Sequence, residues 1–126
     1  MVNSMRRLLG RQGVRFGVLV GALFFATASM ASAAAIKGTP KDDIINGTSK
    51  DDVIRGLAGS DDITAARGND LILGAAGNDR ADAGVGRDRA FGGPENDLLE
   101  GGSGRDVLRG GKNNDSLRGD EGNDLC

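Results

Sequence analysis

The chain has 126 residues, enough for one small domain. Only 3% of its residues are aromatic and none is Trp or Tyr, which argues against an ordinary globular core. The four Arg of residues 1–35 leave 12 Lys and Arg against 18 Asp and Glu in residues 36–126, a net charge of −6. That sign argues against nucleic-acid binding, which requires a basic surface, and it suits a cationic ligand.

Residues 1–35 have the features of a secretory signal peptide. A basic segment precedes an apolar stretch over 16–31, and Ala31-Ser32-Ala33 follows as an A-x-A cleavage site; the basic residues are Arg6, Arg7, Arg11 and Arg15. Cleavage after Ala33 and cleavage after Ala35 fit equally well. A membrane anchor is the alternative, but the apolar stretch is short and rich in small residues for a span. We expect a secreted, extracellular protein with no stable membrane insertion after cleavage.

From residue 38 to the C-terminus, one nine-residue unit repeats ten times, and only the last copy is one residue short. The copies begin at Gly38, Gly47, Gly56, Ala65, Gly74, Ala83, Gly92, Gly101, Gly110 and Gly119. Position six is Asp in every copy, and all 18 glycines of the repeats fall at positions one, two or four, so positions one to six predict a turn. Position eight is apolar or Cys throughout, which predicts a short strand with one inward side chain.

This pattern, G-G-x-G-x-D-x-U-x, resembles the hemolysin-type calcium-binding (RTX) nonapeptide repeat of bacterial secreted proteins. The resemblance covers 89 of the 126 residues. It implies an all-β fold, a right-handed parallel β-roll (a β-helix or solenoid) over residues 36–126. In that fold two repeats form one coil, so the chain would build about five coils.

The resemblance also implies a metal site in each stack of turns, because ions of the family lie between stacked turns. The implied metal ligands are Asp43, Asp61, Asp79, Asp97 and Asp115 on one side and Asp52, Asp70, Asp88, Asp106 and Asp124 on the other. Neighbours in each column would be about 4.8 Å apart and would repel one another without a cation. Calcium fits a site of carboxylates and turn carbonyls better than magnesium does, and the gaps between coils hold several ions, at most about eight.

Glycines of the turns would let the backbone carbonyls face the ion. The turn glycines near the metal are Gly56, Gly59, Gly68, Gly74, Gly77, Gly84, Gly86, Gly92, Gly93, Gly101, Gly102, Gly104, Gly110, Gly111, Gly119 and Gly122. The first two copies depart from the pattern, with Thr at position two and Lys41 or Lys50 at position four, so we expect weaker sites or a cap there. Ala81 and Ala90 occupy successive inward positions, which predicts thin packing in the middle coils.

Cys126 is the only cysteine, so no intramolecular disulfide exists. Two interpretations remain open for it. Cys126 fills the apolar eighth position of the last repeat as a small hydrophobic residue, or it forms a disulfide dimer with a second chain.

The pattern predicts a calcium-binding protein whose folding is driven by calcium. We expect no enzyme, because the chain has no His and its carboxylates belong to a repeating column. Three uses of the folded rod remain open: a binding or scaffolding module with a cell-surface or matrix partner, a calcium-responsive secretion or folding tail, and a soluble calcium buffer. For the first, outward residues Arg67, Arg80, Arg89 and Phe91 are candidate contacts. A disordered linker is disfavoured by the strict register.

Overall fold

A computed structural model describes residues 33–126, so most of the predicted signal peptide lies outside the described residues. The described part contains strands and no helix, and thus no helix that could cross a membrane. The strands are β1 (Ala35–Lys37), β2 (Ile44–Asn46), β3 (Val53–Ala58), β4 (Asp62–Thr64), β5 (Leu71–Ala76), β6 (Arg80–Asp82), β7 (Val85–Gly86), β8 (Arg89–Gly93), β9 (Leu98–Glu100), β10 (Ser103–Gly104), β11 (Val107–Gly111), β12 (Ser116–Arg118) and β13 (Glu121–Gly122).

The strands form three parallel sheets that wind as one solenoid. Sheet 1 has the order β1-β3-β5-β8-β11, sheet 2 has the order β2-β4-β6-β9-β12, and a short third sheet joins β7, β10 and β13. Paired residues are one coil apart in sequence, as with Ile54 opposite Ile72 in sheet 1 and Ile63 opposite Ala81 in sheet 2. The chain therefore alternates between sheets at each repeat, and the predicted all-β parallel roll of about five coils is confirmed.

The core is the stack of eighth-position side chains from both sheets. Strands alternate inward and outward residues, so each repeat contributes one large buried side chain at most. The buried members are Ile36, Ile45, Ile54, Ile63, Ile72, Ala81, Ala90, Leu99 and Leu108, joined by Ala65 and Ala83 from position one. Such a core has the width of two facing side chains along the whole rod.

The two ends of the rod differ. At the first end, β1 precedes the first repeat and places Ile36 over Ile54 as an extra inward residue. At the other end Leu117 is only partly buried and Leu125 is 61% exposed. Cys126 is a free, exposed thiol, so it does not fill the apolar interior at the eighth position of the last repeat, and that interpretation is wrong. The disulfide dimer stays a prediction.

Candidate metal centre

The sixth-position aspartates lie inside the turns that link the two sheets. Seven of the ten are at most 3% exposed, namely Asp52, Asp61, Asp70, Asp79, Asp88, Asp97 and Asp106. Asp43, Asp115 and Asp124, near the ends of the rod, are partly buried. Hydrogen bonds link each aspartate to the one a coil away, so the structure brings all ten together in the two predicted columns.

One carboxylate oxygen of each aspartate joins successive coils. The backbone N–H of Asp61 donates to Oδ1 of Asp79 at 3.0 Å, and the N–H of Asp79 donates to Oδ1 of Asp97 at 2.9 Å. The second column repeats this contact, with 2.7 Å from the Asp70 nitrogen to Oδ1 of Asp88. Oδ1 is thus committed to the stacking of the coils.

The other oxygen, Oδ2, has no hydrogen-bond partner in six of these side chains. The six are Asp61, Asp70, Asp79, Asp88, Asp97 and Asp106, and in each the atom is buried. A buried carboxylate oxygen without a partner is costly, and a polar group in this state ordinarily finds a donor, a water or a cation.

Oδ2 lies over the α-carbon of the position-one glycine of its own repeat. A β-carbon on Gly56 would collide with Oδ2 of Asp61 and would lie 2.7 Å from the carbonyl oxygen of Gly74, one coil further on. A carboxylate oxygen of the same repeat and a carbonyl oxygen of the next coil therefore both lie close to the α-carbon of Gly56, and no β-carbon fits there without a shift of these atoms. Copies four and six instead carry the buried methyl groups of Ala65 and Ala83 at this position.

The columns disfavour negative charge on these carboxyls. Burial, together with the carboxylates of Asp88 and Asp52 above and below, raises the pKa of Asp70 to about 7, although the hydrogen bond from the Asp52 N–H lowers it. For the same reasons the pKa of Asp61, Asp79 and Asp88 is raised to about 6. Burial also raises the pKa of Asp97 and Asp106. A cation inside the turns would reverse this preference.

The turn glycines named above serve two purposes. The position-one glycines make room for Oδ2, namely Gly56, Gly74, Gly92, Gly101, Gly110 and Gly119. The other ten have positive φ, at positions two and four, namely Gly59, Gly68, Gly77, Gly84, Gly86, Gly93, Gly102, Gly104, Gly111 and Gly122. Non-glycine residues also adopt positive φ at these positions, including Leu57 at 94° and Glu95 at 77°. The stacked turns thus impose a left-handed conformation that costs each such residue about 1 kcal/mol or more.

The first two turns are built differently. Thr39 and Thr48 at position two, and Lys41 and Lys50 at position four, are not among the positive-φ residues. The N–H of Thr39 donates to Oδ2 of Asp43 at 2.6 Å, and the N–H of Thr48 donates to Oδ2 of Asp52 at 2.6 Å. Each threonine hydroxyl donates to the same carboxylate, at 2.9 Å in the first turn and 3.0 Å in the second. In these two turns Oδ2 therefore has protein partners.

The donor set of the later turns suits a hard cation. No group of three or more His, Cys, Asp or Glu side chains within residues 33–126 is placed to hold a metal ion. An ion here would take one or two carboxylates and complete its shell with turn carbonyls. Such all-oxygen, flexible coordination is the kind that Ca²⁺ accepts and that Mg²⁺, with its strict octahedral geometry, accepts poorly.

Sequence reasoning missed a second ladder on the outside of the turns. At position five, Oδ1 of Asn78 accepts the N–H of Asn96 at 3.1 Å, and Oδ1 of Asn96 accepts the N–H of Asn114 at 3.0 Å. Asp42 and Asp51 accept in the same way from the next coil. The signal was present, because position five is Asp or Asn in seven of the ten copies.

Comparison with known proteins gives one similarity. A family model described as the RTX calcium-binding nonapeptide repeat matches the chain in four copies, at residues 37–72, 58–90, 67–99 and 91–126. These matches together cover every repeat and both aspartate columns. No curated protein and no solved structure matches the chain.

Proposed function

Because the chain belongs to the RTX calcium-binding nonapeptide repeat family, we propose that its turns bind Ca²⁺ and that the bound ions drive the folding of the solenoid. The observation that carries the proposal is the set of six buried Oδ2 atoms without a partner. A dication placed against them would supply the missing partner and offset the repulsion within each column.

The thin core supports a role for the ion in folding itself. With one inward side chain per repeat, the apolar area removed from water per ordered residue is small, whereas every residue of the rod loses backbone entropy. An ion bound with a millimolar Kd contributes about 4 kcal/mol at the 1 M standard state. Since the site exists only in the stacked turns, that binding free energy becomes folding free energy.

A calcium titration of the chelator-treated protein, followed by far-ultraviolet circular dichroism, tests this proposal. We expect a cooperative change from a disordered spectrum to a β-sheet spectrum with calcium and no change with magnesium at the same concentration. A chain that is already folded in chelator, or that ignores calcium, would contradict calcium-driven folding.

We infer secretion from a bacterial cell on the basis of the leader pattern in residues 1–35 and the family. Calcium is plentiful outside cells, where a millimolar site would be occupied. We propose no enzymatic activity, because the inward carboxylates are shared among equivalent turns and none has a distinct catalytic partner.

For the biological use of the rod, one observation favours a binding module. The outward positions of sheet 1 carry four cations, Lys37, Arg55, Arg89 and Arg109, and no carboxylate. The outward positions of sheet 2 carry three carboxylates and two arginines. The arginines of sheet 2 are ion-paired: Arg80 and Arg118 contact Glu100, and Arg118 also contacts Asp120.

Sheet 1 thus presents cations around half-buried apolar side chains. Phe91 lies between Arg89 and Arg109, whose guanidinium carbons are 5.8 Å and 6.0 Å from the ring centroid. Of the four residues proposed from the sequence as contacts, Arg89 and Phe91 lie on this face. Arg80 instead faces outward from sheet 2, and Arg67 lies in the turn beside Val85.

We infer that this face binds an acidic polysaccharide of the cell surface or matrix. The calcium-free chain carries −6 over residues 36–126, and each bound Ca²⁺ adds two positive charges, so loading removes the net repulsion from an anionic polymer. The partly exposed apolar side chains between the cations offer contacts to the sugar rings. Polysaccharide binding would therefore depend on calcium in two ways: the ions fold the sheet that carries the cations, and they offset the negative net charge of the chain.

Immobilised heparin, at saturating calcium and rising salt, is the probe. We expect retention of the wild type and loss of retention in the Arg55→Gln, Arg89→Gln, Arg109→Gln variant. The matched control, Arg80→Gln with Arg118→Gln, removes arginines from sheet 2 and should elute near the wild type. Equal elution of all three proteins would overturn the assignment of this face, and a wild type that is a monomer without affinity would favour the calcium buffer.

A further inference from the structure

We propose that the first two turns of the rod are closed by threonine instead of calcium, so that the ion sites begin at the third repeat. This inference rests on the proposed calcium binding and names which turns carry it. It limits the predicted ligands to the aspartates from Asp61 onward and gives Asp43 and Asp52 a different role.

Asp52 and Asp70 are neighbours in one column and provide a direct comparison. They are 1% and 2% exposed, and Oδ1 of each accepts an N–H from one coil earlier, at 3.0 Å from Ala34 and at 2.7 Å from Asp52. Their Oδ2 atoms differ. That of Asp70 has no partner, whereas that of Asp52 accepts the N–H of Thr48 at 2.6 Å. The two carboxylates are equally buried, but only Oδ2 of Asp70 has no hydrogen-bond donor. This difference indicates that only the later turn needs a cation.

The difference follows from the residue at position two. In the second coil and beyond, this residue has positive φ, as in Ala66 at 85° and Gly93 at 136°. Threonine is β-branched and strongly disfavours that region. Thr48 keeps an ordinary φ, its amide reaches the carboxylate, and its hydroxyl adds a second bond in the local pattern typical of Ser and Thr turns.

Lysine at position four is a second reason why the first two turns differ from the later turns that we propose to bind calcium. Gly59, Gly77 and their equivalents hold positive φ there, and this conformation shapes the left-handed turn. Lys41 and Lys50 are absent from that conformation, and the amide of Lys50 donates to the Thr48 hydroxyl at 3.2 Å. The first two turns are therefore internally hydrogen-bonded, and the Oδ2 atoms of Asp43 and Asp52 already have protein donors where the later turns leave this atom without a partner.

The inference reduces the number of sites. Each column of five turns has four gaps, and closing the first turn of each column removes one gap on each side. The remaining gaps number six, which equals the number of buried Oδ2 atoms without a partner. We expect the protein to bind about six ions at saturation, where ten equivalent turns would bind about eight.

Copies one and seven allow a reciprocal exchange, because both have Pro at position three: GTPKDD at 38–43 and GGPEND at 92–97. Thr39→Gly with Lys41→Glu gives copy one the residues of copy seven at positions two and four, and only position five, Asp42 against Asn96, still differs. Gly93→Thr with Glu95→Lys does the reverse. Lys41→Glu alone is the charge control. Bound calcium is counted by equilibrium dialysis with metal analysis, and circular dichroism at saturating calcium confirms the fold of each variant.

We expect the first exchange to gain one ion per chain, the reverse exchange to lose one or two, and the charge control to match the wild type. A wild type that binds about eight ions, or a first exchange that is folded and gains none, would overturn the threonine closure while leaving calcium binding intact. A wild type that binds no calcium would overturn the proposed function and this inference together.

Discussion

At the scale of single residues, each buried aspartate divides its two oxygens between two tasks. Oδ1 accepts the N–H of the aspartate one coil earlier, which links successive coils. Oδ2 is left for a cation. Loss of the charge should therefore affect ion binding more than stacking, because an amide oxygen still accepts the N–H bond.

Asp79→Asn tests this division. Asp79 borders two gaps, toward Asp61 and toward Asp97, so we expect the variant to lose about two ions and to fold at a higher calcium midpoint. The control is Asp62→Asn, which removes the same charge from an exposed, outward position of β4. Calcium-monitored circular dichroism with ion counting is the measurement. A midpoint for Asp79→Asn equal to that of Asp62→Asn would contradict the ligand assignment.

The raised pKa values predict opposite pH responses with and without calcium. Because the folded-state pKa of Asp61, Asp70 and Asp79 is raised from 3.8 to about 6 or 7, the metal-free fold binds more protons than the unfolded chain between these values. The contribution of these three carboxyls to the stability of the metal-free fold is therefore fully present below about pH 4 and is lost as the pH rises through 6 to 7.

In chelator, lowering the pH from 7.5 toward 5 should therefore increase the β-sheet signal. In calcium the sign reverses, since protons compete with the ion for the same carboxylates and the calcium midpoint should rise as the pH falls. Circular dichroism titrations at several pH values measure both trends. A calcium midpoint that is independent of pH between 5 and 7.5 would show that these carboxyls do not hold the ion.

At the scale of the strand and turn, the regular part of the structure was predictable. Asp at position six, glycines confined to positions one, two and four, and one inward position near the end of each nine-residue unit together determine the register, both columns and the inward side chains. A shift of one residue would turn Ile54 and Leu99 outward, and in one of the two directions it would bring Arg55 and Glu100 into the core.

Other features depend on backbone geometry and on the ends of the stack. Thr48 differs from Ala66 in φ and therefore in its hydrogen bond to the aspartate of its turn. The identity of the residue at position two does not by itself predict this difference. The strand before the first repeat and the exposure of Cys126 follow from which coil has a neighbour to pair with. The nine-residue pattern is the same in terminal and central coils, so it does not predict how the terminal coils are covered or exposed.

The middle strands provide a packing test. Ala81 in β6 and Ala90 in β8 are both buried. Ala81 lies between Ile63 and Leu99 of the adjacent strands, and Ala90 lies between Ile72 and Leu108. Larger side chains at both positions should fill the space between the sheets, so Ala81→Leu with Ala90→Leu should raise the Tm of the calcium-bound protein. The surface control is Ala76→Leu, at an exposed position of β5.

Differential scanning calorimetry in saturating calcium measures the effect. A gain of about 1 kcal/mol or more is expected from the added buried methylenes. Loss of the folded state would show instead that the sheets approach more closely here and that the leucines overpack the core, which costs about 1–3 kcal/mol.

At the scale of the whole molecule, the two ends of the rod differ, and the stability of the stack depends on what terminates it. The first end is closed by β1 and by the two threonine turns, which need no ion under the inference above. At the other end of the rod, Leu117 is only partly buried and Leu125 is exposed. The asymmetry implies that changes at the N-terminal end have effects on the stability of the whole stack.

Cleavage of the predicted signal peptide would be such a change, and the two candidate cleavage sites would differ in their effect on the first end of the rod. The N–H of Ala34 donates to Oδ1 of Asp52 at 3.0 Å, and the carbonyl of Ala34 accepts the N–H of Val53 at 2.8 Å. Cleavage after Ala33 would keep both contacts and place the new α-ammonium against the Asp52 carboxylate. Cleavage after Ala35 would remove both and leave Oδ1 of a buried carboxylate without this donor.

We therefore expect the exported protein to begin at Ala34, which N-terminal sequencing or intact mass would show. As a second measurement, a chain starting at Ala34 should be more stable in calcium than one starting at Ile36, because a hydrogen bond to a charged group contributes about 1.5–3 kcal/mol. For a domain of this size that difference corresponds to a Tm higher by roughly 4–8 °C per kcal/mol. An exported chain that begins at Ile36, together with equal Tm values for the two chains, would show that the Ala34 contacts do not contribute to closing the rod.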